Sequence, residues 1–328
     1  MQYQNKTIRA IEVDYSHITI DWILGDYCNY QCAYCWPGAH AGQHRVPALD
    51  DVMRGNIDHL IAQLRLPHAN INKPLAFILS GGEPTMYHDI DNLLDFLASR
   101  GMIKVLTNAS RTLTWWQRHG HKFDSVMISY HADSADYDHV TAVIRQLVGK
   151  VNVGLHMMIS LHRFDQCMET YKRFLAEFQG LPIDIKSKLL VDDQGELLGY
   201  DQQQRQAIDA LAQQKSHAKI GINDRLDAVI RLQDQAAAPW DNTAIKDFSG
   251  SFNQYLCRAH HEFVSIKRNG NCGTMHCGQQ FSPLANIYSE DFVQLFQIDT
   301  NAIECSRVTC GCIGLYTTNK HLDTKNSN

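Results

Sequence analysis

Ile18-Thr19-Ile20-Asp21-Trp22-Ile23-Leu24-Gly25-Asp26-Tyr27-Cys28-Asn29-Tyr30-Gln31-Cys32-Ala33-Tyr34-Cys35 joins a strand-like apolar run to a loop that carries three thiols. The spacing is Cys-x3-Cys-x2-Cys. Thiolate is the usual protein ligand for iron–sulfur clusters, so such a loop can hold three irons of a [4Fe–4S] cube. No further cysteine follows until Cys167. One iron is left without a protein ligand, open to a small chelating molecule. Two plainer readings stand beside this one. The three thiols could bind zinc with His40 or His44 as the fourth ligand, or they could be unrelated core residues, since free cysteine is often buried.

Outward from this stretch, short apolar runs alternate with amphipathic helical patterns. Ile18–Leu24 precedes a helix over Leu49–Leu64, and Leu75–Leu79 precedes one over Asp89–Ser99. Ile103–Leu106 leads to a helix containing Trp115 and Trp116, and Val126–Ser129 to one over Ala135–Val148. Val151–Ile159 is followed by Gln166–Phe178, and Ile183–Leu190 by Gln202–Gln213. This alternation predicts βαβ units and a parallel sheet. Six units are too few to close an eight-stranded barrel, and the fold class is α/β, a partial (β/α)6 TIM-like barrel.

Parallel α/β barrels carry their chemistry at the C-terminal ends of the strands. Each run here ends in polar or ligating residues: Cys28, Cys32 and Cys35; Ser80-Gly81-Gly82-Glu83-Pro84; Thr107-Asn108; Ser129-Tyr130-His131; His156 and Met157-Met158; Lys186 and Lys188. Two adjacent glycines let backbone approach a ligand closely. Taken alone, Gly-Gly-Glu-Pro is an ordinary tight turn. About 50 residues after the cysteines, at the end of the next strand, it becomes part of a site. Lys186 and Lys188 alternate with Ile185 and Leu189; one could reach a substrate carboxylate, and a solvated strand end is the plainer reading.

The cysteine spacing, with Tyr34 before the third cysteine, and the glycine turn resemble the radical S-adenosylmethionine (radical SAM) superfamily. The resemblance implies that Cys28, Cys32 and Cys35 ligate a [4Fe–4S] cluster whose open iron binds S-adenosylmethionine. Reductive cleavage then gives a 5′-deoxyadenosyl radical. It also implies cofactor contacts from Tyr34, Ser80, Gly81, Gly82 and Glu83, from Asn108 near the methionine or adenine part, and from Ser129 near the ribose. Asn108 and Ser129 could equally be strand-end polar residues, and Tyr34 could simply shield the cluster.

Six of the ten cysteines crowd into Cys257, Cys272, Cys277, Cys305, Cys310 and Cys312. Phe263–Cys277 reads as a β-hairpin, with Asn269-Gly270 as a two-residue turn signal. A cysteine before a hairpin, one after it and a later group resembles the SPASM/Twitch extension, which implies an auxiliary [4Fe–4S] cluster, two in all. The family pattern places a cysteine five positions after the glycine. Side chains alternate with period two along a strand, so Cys277 keeps that parity and Cys272 does not. Cys257 and Cys277 are favoured, with two more from Cys305, Cys310 and Cys312. Six thiols suit one cluster, the Twitch-like case; zinc in the same pocket is the alternative. Cys167, alone on a helix, reads as core. The resulting organisation is a barrel over 1–215, a connecting helical or linker segment over 216–250, an auxiliary-cluster domain over 251–318 and a disordered tail over 319–328.

Composition narrows the rest. At 328 residues and 44% apolar content a sizeable core is available. The amino terminus is polar with no apolar h-region, and no stretch reaches a membrane span. Ten cysteines without an export signal fit metal ligation in the reducing cytoplasm. A net charge of −5 gives no electrostatic case for nucleic acid. The expected protein is a cytoplasmic radical SAM enzyme reduced by flavodoxin or ferredoxin, abstracting hydrogen from a small-molecule biosynthetic intermediate. A maturase of a ribosomally made peptide is the alternative, with a partner supplying leader recognition because no room for such a domain precedes Ile18. A non-catalytic iron–sulfur or zinc protein is the alternative of another class.

Overall fold

The computed structural model describes residues 8–13, 17–35, 42–66, 71–191, 198–212, 228–232, 237–239, 255–257, 262–274, 284–298, 303–305 and 320–322. In chain order the elements begin with β1 (Ile8–Val13), β2 (Ile18–Ile23), α1 (Asp51–Arg65), β3 (Leu75–Ser80), α2 (Ile90–Ala98) and β4 (Met102–Thr107). Next come α3 (Leu113–His119), β5 (Ser125–His131), α4 (Tyr137–Leu147), β6 (Asn152–Ile159), α5 (Phe164–Glu177), β7 (Ile183–Leu189) and α6 (Gln202–Ala212). The later elements are β8 (Ala228–Leu232), β9 (Ala237–Pro239), β10 (Tyr255–Cys257), β11 (Phe263–Ile266), β12 (Asn271–Thr274), β13 (Ala285–Asn286), α7 (Phe292–Leu295), β14 (Ile303–Glu304) and β15 (Lys320–Leu322).

The chain divides into two compact units whose boundary falls within β2 and β3: Trp22–Ala48 with Phe77–Asp224, and Met1–Asp21 with Leu49–Ala76 and Arg225–Asn328. The strand order β2-β3-β4-β5-β6-β7 is the sequence order. Parallel registers join β4 to β5, β5 to β6 and β6 to β7. Bonds from Ile18 N–H to Pro74 O and from Leu24 N–H to Ser80 O keep one offset along β2 and β3, so this pair is parallel too. A parallel sheet of six strands with intervening helices is the expected α/β architecture of a partial barrel.

In the first unit, one face of each strand is packed by helices. On β6, Val153, Leu155, Met157 and Ile159 are fully buried, while His156 and Met158 on the other face are partly exposed. The helices that follow bury Leu93, Leu94 and Leu97 from α2, Val140, Val143 and Ile144 from α4, and Tyr171 and Phe174 from α5. Side-chain caps fix helix starts: in α4, Asp136 accepts from His139 N–H at 2.9 Å, which satisfies one of the orphan donors of the first turn.

In the second unit, α1 is capped by Asp50, which accepts from Met53 N–H at 2.8 Å. Its buried Asn56 donates to Ile287 O and Ser289 O at 2.9 and 2.8 Å. Lys73 meets the buried Glu262 carboxylate at 2.7 Å. The hairpin of β11 and β12 forms in the register Val264↔Thr274, Ser265↔Gly273, Ile266↔Cys272. Its turn differs from the two-residue expectation. Gly270 N–H bonds to Lys267 O, and Gly270 sits at φ +86°. Arg268 and Asn269 are therefore the central turn residues, and Gly270 follows in the left-handed region that glycine adopts without steric cost.

An antiparallel sheet in the order β14-β10-β15-β1-β8-β9 was not anticipated. β8 and β9 fall inside the stretch read as a helical connecting segment, and β15 inside the stretch read as a disordered tail. β1 pairs with β8 and β15, both more than 200 residues further along the chain, and pairing at that separation leaves no local periodic signal.

Candidate active site

A cavity of about 310 Å3 opens where the six parallel strands end. The loop after β2 lines it with Cys28, Tyr30, Cys32, Tyr34 and Cys35, and the turn after β3 with Ser80, Gly81, Gly82 and Glu83. β4 adds Leu106, Thr107 and Asn108, β5 adds Ser129 and His131, β6 adds Met158, and β7 and the residues after it add Lys188 to Val191. All three cysteines expected at the first cluster, and all seven residues expected at the cofactor, surround this one space.

Glycine is required where the two loops meet. Gly82 is so close to the cysteine loop that a Cβ would lie 2.1 Å from Tyr27 O. Gly81 has φ +136°, and a Cβ there would lie 2.8 Å from Gly25 O. Glu83 N–H donates to Tyr27 O at 2.7 Å and ties the turn to the loop. The Glu83 side chain is buried and accepts four hydrogen bonds: Thr85 N–H at 3.0 Å, Thr85 hydroxyl at 2.6 Å, Thr107 hydroxyl at 2.7 Å and Asn108 N–H at 2.6 Å. Burial pushes its carboxyl up, and these donors pull against that. Glu83 thus spends its side chain on the ends of β3 and β4.

The following loop is held as firmly. Asn108 Oδ1 accepts from Ser110 N–H, and its Nδ2 donates to Asn29 Oδ1 at 3.0 Å. Ala109 occupies φ +59°, and His139 Nε2 lies within hydrogen-bond distance of Ala109 O and Arg111 O at 3.1 and 3.0 Å. Behind the cysteines, the buried Asp26 carboxylate accepts from His44 N–H at 2.8 Å and meets His44 Nδ1 at 2.9 Å. This engages one ring nitrogen of the histidine considered as a zinc ligand; His40 lies outside the described residues.

Around the thiols, Tyr30 N–H points at Cys28 Sγ at 3.4 Å, with Asn108 Nδ2 at 3.8 Å. Both donors favour a thiolate. Cys32 Sγ and the Tyr34 hydroxyl lie 3.4 and 3.0 Å from His131 Nδ1, and the Tyr34 ring stacks on the imidazole. Burial pushes the Cys28 thiol up, and Cys32 to about 11. Among the described residues, no three His, Cys, Asp or Glu side chains converge as a single metal ion requires. A four-iron cube takes one thiolate at each of three corners and asks instead for ligands spread around a space. Two half-buried thiols, Cys28 and Cys35, and the buried Cys32 lining one cavity, with donors aimed at Cys28, fit that group.

Sequence reasoning left His131 without a role, although its position two residues after Ser129 puts both on one face. Lys188 is exposed, as a solvated strand end implies, and it also lines the cavity. Of the second cysteine group, Cys277, Cys310 and Cys312 lie outside the described residues. Cys272 is buried opposite Ile266, with its thiol pushed up by burial alone. Cys305 is also buried. Cys257 pairs in register with Ile303, and Cys305 N–H bonds to Tyr255 O, so the two cysteines stand two positions apart on neighbouring strands. Cys167 is fully buried in α5.

Residues 22–176 match the radical SAM superfamily. That stretch, just under half of the chain, resembles a radical SAM domain, and the resemblance implies a [4Fe–4S] cluster and S-adenosylmethionine. No curated protein matches the sequence. Among solved structures, SuiB from Streptococcus suis is similar at 15% identity and a TM-score of 0.50, over 86% of this chain and 66% of SuiB. The same protein bound to its precursor peptide SuiA gives 16% identity and a TM-score of 0.50, over 88% of this chain and 66% of SuiB. Native anSMEcpe with bound AdoMet gives 13% identity and a TM-score of 0.48, over 86% of this chain and 81% of that one. The chain thus spans just under two-thirds of SuiB's length, and the likeness is one of fold. No helix among the described residues is long and apolar enough to cross a membrane.

Proposed function

We propose that this protein is a radical SAM enzyme that removes a hydrogen atom from a C–H bond of a small-molecule biosynthetic intermediate. The observation that carries the reading is the assembly of Cys28, Cys32 and Cys35 with the Ser80–Glu83 turn, Asn108 and Ser129 around one cavity. Cys28, Cys32 and Cys35 would hold the [4Fe–4S] cluster, and Tyr34, Ser80, Gly81, Gly82, Glu83, Asn108 and Ser129 would contact S-adenosylmethionine. When bound, cluster and cofactor supply the radical chemistry, and the protein positions them. Gly81 and Gly82 bring bare backbone to the site, and Glu83 and Asn108 hold two strand ends in fixed relation. Tyr34 stacked on His131 forms a wall that excludes water beside Cys32.

We read Cys257 and Cys305 as two ligands of an auxiliary [4Fe–4S] cluster of SPASM/Twitch type, completed from Cys277, Cys310 and Cys312. Their positions on neighbouring strands support this. We also read the enzyme as an oxidoreductase of the cytoplasm, reduced by flavodoxin or ferredoxin. The second reading is modification of a peptide, favoured by the likeness over 88% of the chain to SuiB with its precursor peptide bound.

The test is anaerobic reconstitution, iron counting and a dithionite assay for 5′-deoxyadenosine. Wild type should hold about eight irons in two four-iron clusters. The Cys28→Ala/Cys32→Ala/Cys35→Ala variant should keep about four and make no deoxyadenosine. No deoxyadenosine from wild type would refute the radical reading, and no iron in the variant would refute the second cluster.

A further inference from the structure

We propose that the β6–β7 wall of the cavity receives a carboxylate of the substrate, with Lys188 as the residue that binds it. The inference rests on the radical SAM reading and adds a substrate class to it. The parallel registers run straight across three strands: Ser129↔His156↔Lys186 on one rung, and His131↔Met158↔Lys188 on the next. Residues paired across a parallel sheet point to the same side. Both lysines therefore stand on the face that carries Ser129 and His131, which line the cavity.

The charges on this face are unequal. Lys186 is ion-paired with Asp184 of its own strand. Burial and the two neighbouring lysines hold His156 down to about 4, so it is uncharged at neutral pH. Lys188 is exposed within the cavity lining and has neither an ion pair nor a hydrogen bond among the described residues. One unspent positive charge matches a monoanion, whereas a phosphate dianion calls for two or more.

The neighbours of Lys188 define the rest of the ligand. Met158 is its cross-strand partner, Leu189–Val191 follow it, and Leu106, 37% exposed, faces the same space. A carboxylate on an apolar carbon skeleton fits these walls. Lys188 belongs to the strand at one end of the six-strand order, and the cysteine loop follows the strand at the other. His131, two strands from Lys188 on the same rung, lies 3.4 Å from Cys32 Sγ, so the anchored end sits about 10 Å from that thiol.

The test uses the reconstituted full chain and two carboxylate probes, 4-methylpentanoate and the blocked peptide acetyl-Ala-Glu-Ala-amide. Binding is read by calorimetry and saturation-transfer NMR, with 4-methylpentanamide as the neutral control. Wild type should bind a carboxylate probe at least about tenfold more tightly than the amide, as a charge-assisted hydrogen bond implies. Lys188→Met should abolish that preference, and Lys188→Arg should retain it. Tighter binding of the free acid assigns a small-molecule substrate, and tighter binding of the peptide assigns a carboxylate within a chain. Two results would overturn the proposal: probe binding indifferent to Lys188→Met, or an equal loss of affinity for S-adenosylmethionine itself, which would assign Lys188 to the cofactor. Deoxyadenosine formation by wild type is scored on the same preparation. Failure there refutes the radical reading, whereas success with Lys188-independent probe binding refutes only the carboxylate site.

Discussion

A methyl group added at Gly82 would lie 2.1 Å from the Tyr27 carbonyl oxygen, 2.5 Å from its carbon and 2.9 Å from the Asp26 carbonyl carbon. All three are backbone atoms, so no side chain can swing aside. Relief requires the strand end or the cysteine loop to retreat by about 1 Å, in a close-packed interior that resists such shifts. That retreat also stretches the 2.7 Å bond from Glu83 N–H to Tyr27 O, one residue before Cys28. Overpacking of this kind costs about 1–3 kcal/mol, and the hydrogen bond adds about 1 kcal/mol. Gly82→Ala should therefore destabilise the chain by about 2–4 kcal/mol in urea denaturation and lower the iron retained by the first loop. Gly55→Ala is the comparison. Gly55 is exposed in the middle of α1 with nothing within 4 Å, so alanine there should add about 1 kcal/mol through helix propensity. If Gly82→Ala stays within about 0.5 kcal/mol of wild type and keeps its iron, close approach to Tyr27 is not what the glycine serves.

Three further outcomes are expected. Burial raises the Asp21 carboxyl from its ordinary 3.8 to about 6, with Lys267 pulling the other way. Between those values the folded chain holds a proton that the unfolded chain has lost, so stability falls as pH rises through the window. Asp21→Asn should remove that slope and add about 3 kcal/mol at pH 7 but nothing below pH 4, read from denaturation at several pH values. Lys73→Met would leave the Glu262 carboxylate buried without its partner; a loss of about 3 kcal/mol is expected, and an unchanged denaturation midpoint would contradict it. Cys272→Ala should cost about 1–2 kcal/mol as a small core cavity and leave the iron count unchanged; a loss of four irons would make Cys272 a ligand.

The parallel half of the fold was legible because its signals are local. Each apolar run is short, each is followed by an amphipathic stretch, and the strand-end residues fall at one edge. Ile183–Leu190 was expected and Ile183–Leu189 is observed; Gln202–Gln213 was expected and Gln202–Ala212 is observed. β1 was not legible, although Ile8-Arg9-Ala10-Ile11-Glu12-Val13 has strand-like residues, because its partners lie at 228–232 and 320–322. β-propensity speaks only once those neighbours are known. At the site, the sequence shows which residues sit at strand ends but not what their side chains do there. The Glu83 carboxylate binds the neighbouring strand, a role that the Gly-Gly-Glu-Pro spacing does not announce. Lys188 is exposed as expected, and the register with Met158 places that exposure in the cavity. The Asp26–His44 contact joins a strand end to a residue with no regular structure, and no spacing rule announces it.

That last contact has an energetic consequence for how the thiol loop meets a ligand. Asp26 and His44 are 18 positions apart, and all three cysteines lie between them. Bringing together the ends of a free segment of that length costs about 2.5 kcal/mol in its length-dependent part. Here the closure is made by the chain's own carboxylate and imidazole, so that entropy is already spent when iron and sulfide arrive. The same three cysteines on an open segment would lose more freedom on binding. The readiness of the thiol loop for a ligand thus begins at two residues outside the Cys28–Cys35 span.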